Sequence, residues 1–342
     1  MKLLAGKKRK VAVLFPSGLG DSLLFIPLLK ELKRKDFHIT GIFYSAFDND
    51  VFYHAPFVDK KVFIRSKASL LLYSLGRLRH FANYYINHLG NGSAIQLSAR
   101  LCSRRVTRTL INGIHTAKRQ RTPVPGLSDA EQNLHLLYSK LNSKISNISS
   151  FLLPPLPVAE KRVKPYFIIQ VSAGNNTTPF KNWPMKNWVI LIERFCKTYP
   201  GIDFLVLGDN TETGYIRELE KVSCSNCHIL IGQTSIKQVM SITQNGLGYI
   251  GLDSGIMHIA VALQKKTLTI FGGSNEQLYG YEKIDPANHK IVKAGIPCRP
   301  CSGWKDANQT RVSDPMQCPD FACLHLISPE IVFDEAVAHF GL

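Results

Sequence analysis

Short apolar runs alternate along the chain with longer segments in which apolar residues recur at helical spacing. In the first half, the runs typical of buried strands are KVAVLFP (10–16), HITGIFYS (38–45) and KVFIR (61–65). Helices are predicted over residues 22–34, with a kink at Pro27, and over residues 68–88. Strands that alternate with helices in this way predict βαβ units on a parallel sheet.

A second series of the same kind follows residues 152–165, a segment rich in proline and charge that has the composition of a linker. Its strand-like runs end in glycine turns and lie at residues 166–174, 203–209, 228–232, 247–255 and 267–273. We therefore predict two α/β domains with Rossmann-like parallel sheets, residues 1–158 and 159–342. A ligand is expected in a central cleft, where the carboxyl ends of the strands of both domains meet.

Length and composition restrict the class of protein. The chain has 342 residues, of which 45% are apolar, which is enough for two ordinary domains with cores of their own. It has no apolar run of about eighteen residues, and its start lacks the long apolar region of a secretory signal. We therefore expect a cytoplasmic protein.

The positive charge is concentrated in the first half. Residues 1–160 contain 24 Lys and Arg against 9 Asp and Glu, whereas residues 161–342 contain 18 against 16. Residues 60–128 contain 13 basic residues and no acidic residue. Such a field attracts a polyanion: nucleic acid, an anionic membrane surface or a phosphorylated substrate. A solvated basic face without a partner is the alternative.

The glycine turn PSGLGD (16–21) joins the first strand to a helix. Gly18 and Gly20 allow the backbone to turn tightly, and the free N–H groups of the helix favour negative charge. Asp21 is either the N-cap of this helix or a carboxylate at the edge of the cleft that accepts a proton from a hydroxyl group.

Two segments of the second half have residues suited to phosphate. In VSAGNNTTPFKNWPMKNW (171–188), Lys181 and the free N–H groups of a strand end can bind phosphate oxygens, although a loop lysine is often only solvated. In GLDSGIMHIAVAL (251–263), the hydroxyl of Ser254, unpaired N–H groups and the helix dipole surround one point where an anion fits. The structural alternative is that Asp253 or Ser254 caps the helix and that His258 is a buried core histidine.

Four of the eight cysteines lie near the end of the chain, in a C-x2-C pair (Cys298, Cys301) and a C-x4-C pair (Cys318, Cys323). Eight cysteines in a chain that we expect to be cytoplasmic favour thiols or metal ligands over disulfides. The four suit a structural zinc site with four thiolates, and reduced buried thiols are the alternative.

In this order, these segments resemble glycosyltransferase family nine, the lipopolysaccharide heptosyltransferases and their relatives. The matching segments are GLGDSLLFIPLLKELK (18–33), 171–188, LGDNTE (207–212), IGQTSIKQV (231–239), 251–263 and FGGSNE (271–276). The tail CRPC…CPDFACLHLISPEIV also resembles the cysteine-bearing tail of part of that family.

The resemblance implies a GT-B architecture, in which the first domain binds an acceptor and the second a nucleotide-sugar donor. It also implies an inverting transfer that requires no cofactor, with Asp21 as general base. The donor diphosphate would be held by Lys181 and the turn at 253–258, through the hydroxyl of Ser254 and the N–H of Gly255. The predicted donor contacts are Ser172, Gly174, Lys181, Glu212, Asp253, Ser254, Gly255 and His258. His258 is either a donor ligand or part of the packing that holds the turn.

The resemblance also gives the basic first domain a role. The inner core of lipopolysaccharide is phosphorylated and acidic, and its lipid anchor lies in an anionic membrane. The predicted acceptor contacts are Gly18, Gly20, Arg104 and Arg105. The expected partners are an ADP-sugar donor, this acceptor and the inner face of the cytoplasmic membrane, at which the protein would be peripheral, but not nucleic acid.

The leading hypothesis is therefore transfer of a heptose from ADP-heptose to a lipopolysaccharide core acceptor. The first alternative is a relative in the same family with another nucleotide sugar or acceptor. The second is a basic nucleic-acid-binding protein, which predicts binding that weakens steeply with salt and leaves the second-half motifs unexplained. The third is a non-catalytic scaffold that has kept the fold.

Overall fold

The chain divides into two units, Met1–Phe151 and Leu152–Leu342. The computed structural model describes residues 9–15, 18–44, 51–52, 55–86, 92–109, 120–121, 127–138, 145–156, 163–174, 178–301 and 317–342. The predicted domain boundary after residue 158 falls outside the described residues and stays a prediction.

The first unit contains a six-stranded parallel sheet. Its strands are β1 (Lys10–Phe15), β2 (His38–Tyr44), β3 (Lys60–Ile64), β4 (Asn83–Ile86), β5 (Val106–Thr109) and β6 (Gln120–Arg121). They lie in the order β3-β2-β1-β4-β5-β6, with all neighbours parallel. β1 is apolar and buried after its first residue, as expected for a central strand covered on both faces.

The described helices of this unit are α1 (Leu19–Leu23), α2 (Ile26–Arg34), α3 (Lys67–Leu75), α4 (Ser93–Cys102) and α5 (Asp129–His135). The prediction of one kinked helix over residues 22–34 is wrong. A turn at Leu24 and Phe25 separates α1 from α2. Pro27 lies in the first turn of α2, where a missing N–H group costs no hydrogen bond.

The predicted helix over residues 68–88 is correct only in its first part. α3 ends at Leu75, and Arg79 has a positive φ of 48° that a continuing helix does not allow. Tyr84 and Tyr85 then lie buried in β4. Aromatic side chains suit a strand between two covered faces, and this packing outweighs the helical spacing of the leucines before them.

The second unit contains another six-stranded parallel sheet. Its strands are β7 (Tyr166–Ile169), β8 (Asp203–Val206), β9 (Cys227–Ile229), β10 (Gly248–Leu252), β11 (Lys266–Phe271) and β12 (His289–Lys293). They lie in the order β12-β11-β10-β7-β8-β9. The described helices are α6 (Met185–Thr198), α7 (Ile216–Leu219), α8 (Ile236–Asn245), α9 (Gly255–Ala262), α10 (Glu276–Tyr279), α11 (Ala322–His325) and α12 (Pro329–Phe340).

The core of this unit fixes the start of α6. Trp183 and Trp188 meet edge to face with their rings 5.0 Å apart, and both are buried. The indole N–H of Trp183 donates to the carbonyl of Ile327 at 2.9 Å. Both tryptophans are therefore core residues, and they hold the segment just before α6 in one position.

Each sheet thus has the Rossmann strand order, and the prediction of two α/β domains with parallel sheets is confirmed. In each sheet, two central strands are neighbours: β1 and β4 in the first, β7 and β10 in the second. The strands that follow each of them along the chain add to opposite sides of the sheet. Ligands of such sheets bind at the carboxyl ends of these two strands. Within the described residues, no helix has the length and apolarity needed to cross a membrane.

Candidate functional site

The segments after β7 and β10 form the centre of the second unit's carboxyl edge. The hydroxyl of Tyr249 lies 2.9 Å from Oε1 of Gln170 and 2.8 Å from the carbonyl of Leu252. The hydroxyl of Ser254 donates to the same Oε1 of Gln170. A residue larger than glycine at position 251 would clash with this network, because its Cβ would lie 2.3 Å from the Tyr249 hydroxyl. This buried network fixes both strand ends relative to each other.

The network changes the role of Ser254. Its side chain is 8% exposed, and its hydroxyl is directed at Gln170 in the interior. Ser254 is the N-cap of α9, but its side chain makes no capping hydrogen bond. The backbone N–H groups of the first turn of α9 are therefore the anion-binding groups that this segment offers, and the helix dipole adds to them.

Replacement of Ser254 by alanine tests this reassignment. We expect the variant to bind ADP with less than about a threefold loss of affinity, because the N–H groups of α9 remain in place. The free energy of unfolding should fall by about 1 kcal/mol, since one hydrogen bond to Gln170 is lost. Calorimetry with ADP and urea unfolding measure the two effects. A loss of ADP affinity of tenfold or more would show that the hydroxyl contacts the ligand.

Lys181 reaches the same edge because two glycines let its segment approach. The N–H of Gly273 donates to the carbonyl of Phe180 at 2.8 Å, and a Cβ on Gly272 would lie 2.3 Å from that carbonyl oxygen. The ammonium group of Lys181 lies 2.7 Å from Oδ2 of Asp253 and 5.6 Å from the centre of the Tyr279 ring. Its side chain remains 22% exposed, so it is not fully enclosed by the protein.

Asp253 is a buried carboxylate that this arrangement keeps charged. Burial acts to raise its pKa, but the positive charge of Lys181, 2.7 Å from Oδ2, outweighs burial. The net effect is a pKa below the ordinary value of an aspartate. The ion pair cancels the negative charge of Asp253 next to the start of α9, so the turn can accept an anionic ligand.

His258 lies one turn into α9 and is 5% exposed. Its Nδ1 and the hydroxyl of Tyr281 share a hydrogen bond of 2.7 Å, and the two rings meet edge to face. Burial lowers the pKa of His258 to about 4, although the nearby charge of Asp253 opposes this. The imidazole is therefore neutral at neutral pH and packs behind the turn, in agreement with the second of the two predicted roles.

The low pKa of His258 predicts that stability depends on pH. The folded domain resists protonation of this ring, so its free energy of unfolding should fall as the pH drops from about 6.5 to about 4. The contribution of His258 is about 3 kcal/mol, and buried His289, whose pKa is also about 4, adds a similar effect.

Urea unfolding followed by tryptophan fluorescence measures this dependence in the second unit alone, because all three tryptophans lie after residue 160. The variant His258→Gln should show a smaller loss of stability than the wild type between pH 6.5 and pH 4. Parallel stability curves for the two proteins would contradict the assignment.

Glu212 supports the turn after β7. Its carboxylate accepts the N–H of Gly174 at 3.1 Å and the N–H of Asp209 at 2.9 Å, and it is 3% exposed. Burial raises its pKa, while hydrogen bonds from Ser172, Asp209 and Gly174 oppose the rise. Gly174 has φ of +109°, a conformation that favours glycine. The structure thus joins Ser172, Gly174 and Glu212 in one cluster, in which Glu212 positions the loop.

Sequence reasoning missed three residues of this edge: Gln170, Tyr249 and Tyr281. Gln170 is the first polar residue after the apolar run of β7, and this break in the pattern was the available signal. Tyr249 gave no signal, because a tyrosine in an apolar stretch is typical of any core, and Tyr281 lies in a polar segment that does not predict burial.

Asp21 lies at the corresponding place in the first unit. It is in the first turn of α1, directly after β1, and is partly exposed. Gly18 is the N-cap of α1, so the interpretation of Asp21 as the N-cap is wrong. A Cβ on Gly18 would lie 2.2 Å from Oδ2 of Asp21, so this glycine makes room for the carboxylate. Gly20 is part of the same helical turn.

Arg104 and Arg105 do not lie near Asp21. Both are exposed and immediately precede β5, so they are at the amino-terminal edge of the first sheet, whereas Asp21 follows the carboxyl end of β1. All strands of this sheet are parallel, so the two edges are opposite. The structure therefore does not bring these two arginines together with Asp21, and their role as acceptor contacts stays a prediction.

The four C-terminal cysteines come together. Cys298, Cys301, Cys318 and Cys323 all line one small cavity, with Arg299 and Asp320. Burial and the neighbouring thiols raise the pKa of Cys301, and burial raises the pKa of Cys323 to about 12. Among the described residues, no group of three or more His, Cys, Asp or Glu side chains is arranged so that it could hold a metal ion. The structural zinc stays a prediction.

Elemental analysis of the purified protein tests that prediction. A structural zinc site predicts about one equivalent of metal per chain, which the double variant Cys298→Ser and Cys301→Ser should lose, because two thiolates are too few for such a site. A control variant, Cys102→Ser, alters a buried cysteine of the other unit and should keep the metal. Reduced thiols would be favoured if the purified wild-type protein contained no metal and the double variant unfolded at the same temperature as the wild type.

A comparison with protein families matches residues 120–311, more than half of the chain, to Glycosyltransferase family 9 (heptosyltransferase). The chain belongs to this family, and the resemblance drawn from its motifs is confirmed. The matched range includes Lys181, Glu212 and Asp253, whereas Asp21 lies outside it. No curated protein matches the chain in sequence.

Solved structures share the fold at low identity. The E. coli ADP-heptose lps heptosyltransferase II is 15% identical, with a TM-score of 0.70 and coverage of 97% of this chain and 98% of that one. A family 9 glycosyl transferase from Veillonella parvula is 15% identical, with a TM-score of 0.75 and coverage of 99% and 98%. The E. coli heptosyltransferase WaaC with ADP is 16% identical, with a TM-score of 0.63 and coverage of 83% and 92%. The predicted GT-B fold class is confirmed.

Proposed function

We propose that the protein transfers a heptose from ADP-heptose to a phosphorylated lipopolysaccharide core acceptor, with inversion at the anomeric carbon. The observation that carries this proposal is the anion site of the second unit. There the Lys181–Asp253 pair, 2.7 Å apart, adjoins the first turn of α9 at the carboxyl ends of the central strands. Two structural neighbours, one named an ADP-heptose lps heptosyltransferase and the other a heptosyltransferase with ADP, support the choice of donor.

The donor diphosphate would bind to the N–H groups at the start of α9 and to the ammonium group of Lys181, whose side chain is partly exposed. Both supply positive charge at fixed positions, which stabilises the charge that develops on the diphosphate as it leaves. The ion pair with Asp253 holds the ammonium group in place, so little conformational entropy is lost on binding. With these groups, we propose that the chemistry requires no metal ion.

Asp21 would act as the general base. Its carboxylate takes the proton of the acceptor hydroxyl while the hydroxyl oxygen forms a bond to the anomeric carbon. The bond between that carbon and the diphosphate oxygen breaks at the same time, and ADP leaves with the electron pair. Attack opposite to the leaving group inverts the anomeric centre.

The charge of the first half fits an acidic acceptor. Residues 1–160 have an excess of basic residues, 24 against 9 acidic, whereas the remaining residues are nearly balanced. A phosphorylated acceptor anchored in an anionic membrane would be attracted to the first unit, and we propose that the protein is peripheral at the inner face of that membrane.

A panel of nucleotides tests the donor. Calorimetry in the presence of EDTA should show that ADP binds at least about tenfold more tightly than UDP, GDP or CDP. Preference for UDP would contradict the proposed donor and favour the alternative of a family relative with another nucleotide sugar. Loss of all nucleotide binding in EDTA would contradict the proposal that no metal is required.

A further inference from the structure

The amino-terminal edge of the first sheet contains a cavity that the proposed transfer does not use. Its volume is about 300 Å³, far more than the roughly 10–15 Å³ that one water molecule needs. Its polar lining residues come from the starts of β1, β2 and β3 and from the segment at the end of α3. They include Lys10, His38, Lys60, Tyr73, Arg77 and His80.

The lining has no acidic residue among the described residues. The ammonium group of Lys10 lies 3.3 Å from Nε2 of His80, so two bases meet without a carboxylate between them. Burial, followed by the charges of Lys10, Arg77 and Lys60, lowers the pKa of His80. Basic groups thus predominate in the lining of the cavity.

Two buried polar atoms beside the cavity are unsatisfied. Nδ1 of His38 and the hydroxyl of Tyr73 are shielded from solvent and make no hydrogen bond of good geometry within the described residues. A buried polar group without a partner is unfavourable, and a ligand or a water molecule in the cavity can supply the missing hydrogen bond. Both atoms belong to residues that line this one cavity.

Helix ends explain only part of the basic charge. The carboxyl ends of helices lie at this edge of the sheet, and each carries about half a negative charge that a basic residue can offset. Arg77 follows the end of α3 and has this role. The charges of Lys10 and Lys60, and those of Arg104 and Arg105 beyond the cavity, exceed what the helix ends require.

The surface next to the cavity is apolar. Leu72, Leu75 and Leu78 are 70%, 56% and 61% exposed, and they lie on the outer side of α3 and on the turn after it. Tyr73 and Arg77 of the same segment line the cavity, whereas Leu70 and Ser74 face the interior. Leucines beside a cationic pocket are typical of segments that lie in a membrane interface.

We propose that this cavity binds the phosphate of an anionic lipid head group while Leu72, Leu75 and Leu78 enter the bilayer interface. A phosphate neutralises the basic lining, and its oxygens accept hydrogen bonds from groups that otherwise lack a partner. The leucines bury apolar surface that the folded chain leaves in water. The proposal rests on the proposed membrane association but not on the transferase activity.

Sedimentation with lipid vesicles at constant ionic strength tests the proposal. The full-length protein should bind vesicles of phosphatidylcholine that contain phosphatidic acid and should bind pure phosphatidylcholine weakly. The variant Lys60→Gln with Arg77→Gln should lose roughly 30-fold in affinity. The variant Lys186→Gln with Lys221→Gln removes the same charge from the other unit and should change affinity less than about twofold.

The leucines are tested separately with Leu72→Ser and Leu75→Ser, for which we expect a loss of at least about tenfold. Leu326→Ser and Ile331→Ser, at exposed positions of the second unit, are the matched control. If a double variant fails to fold, Lys60→Gln and Leu72→Ser alone provide the test. A site-specific readout is the imidazole resonance of His80, whose pKa should rise when phosphate binds beside it.

Three outcomes would overturn the proposal. In the first, the cavity variants and their controls lose affinity equally, which indicates binding by net charge alone. In the second, inorganic phosphate binds in the cavity while vesicles do not, which indicates a soluble ligand. In the third, the leucine variants bind as the wild type does. Because no donor is present in any of these experiments, their outcome is independent of the proposed transfer.

Discussion

Replacement of Asp21 by asparagine should reduce the rate of transfer by a factor of about 10² to 10⁴ and leave ADP affinity within about twofold. Loss of a general base costs this much because the acceptor hydroxyl must then lose its proton without help. Asparagine has the shape of aspartate, so the turn at Gly18, which leaves room for this side chain, should keep its geometry. The carboxylate belongs to the first unit, so the nucleotide site proposed for the second unit should be unaffected.

Initial rates with saturating donor and acceptor measure the effect, and calorimetry with ADP measures binding. Asp36→Asn is the matched control, because Asp36 is an exposed residue of the same unit in a turn whose positive φ of 58° asparagine tolerates. The control should keep nearly full activity. Turnover of Asp21→Asn at the rate of the wild type would show that another group accepts the proton.

Replacement of Lys181 by alanine should have two large effects. ADP affinity should fall by about 10- to 100-fold, since a charge-assisted hydrogen bond to the diphosphate is worth about 1.5–3 kcal/mol. The free energy of unfolding should also fall by about 3 kcal/mol or more, because Asp253 would remain buried without its partner.

A second replacement separates these effects. The double variant Lys181→Ala with Asp253→Asn removes the unpaired charge, so stability should recover while ADP affinity stays low. Lys186→Ala, on the exposed side of α6, is the control and should bind ADP normally. Recovery of ADP affinity in the double variant would mean that Lys181 acts only by neutralising Asp253.

The parallel α/β class of both units could be predicted, and candidate residues could be assigned to the carboxyl edges of the sheets, because both follow from short-range patterns. Apolar runs gave β1, β2 and β3 of the first sheet and β7 to β11 of the second, whereas β4, β5, β6 and β12 were not predicted. Polar residues in the segments that follow such runs suggested Lys181, Asp253 and Asp21. The carboxyl ends of parallel strands always lie at one edge, so residues after different strands meet there.

The partners of these residues could not be predicted, because they are set by packing between distant segments. Nothing in the sequence indicates that the hydroxyl of Ser254 donates to Gln170, 84 positions earlier, instead of facing a ligand. The position of Arg104 and Arg105 in the fold could not be predicted either. A count of charges along the chain gave a basic region, but only the structure shows that these residues lie at the edge opposite to Asp21.

The central claim is the transfer of a heptose from ADP-heptose, and mass spectrometry of the reaction product tests it most directly. The purified protein is incubated with ADP-heptose or with a UDP-sugar, together with a phosphorylated lipopolysaccharide core acceptor, and Asp21→Asn serves as the inactive reference. We predict a product that carries one additional heptose in the inverted anomeric configuration, formed from ADP-heptose together with free ADP. Transfer from the UDP-sugar alone, or a product with retained configuration, would contradict the account.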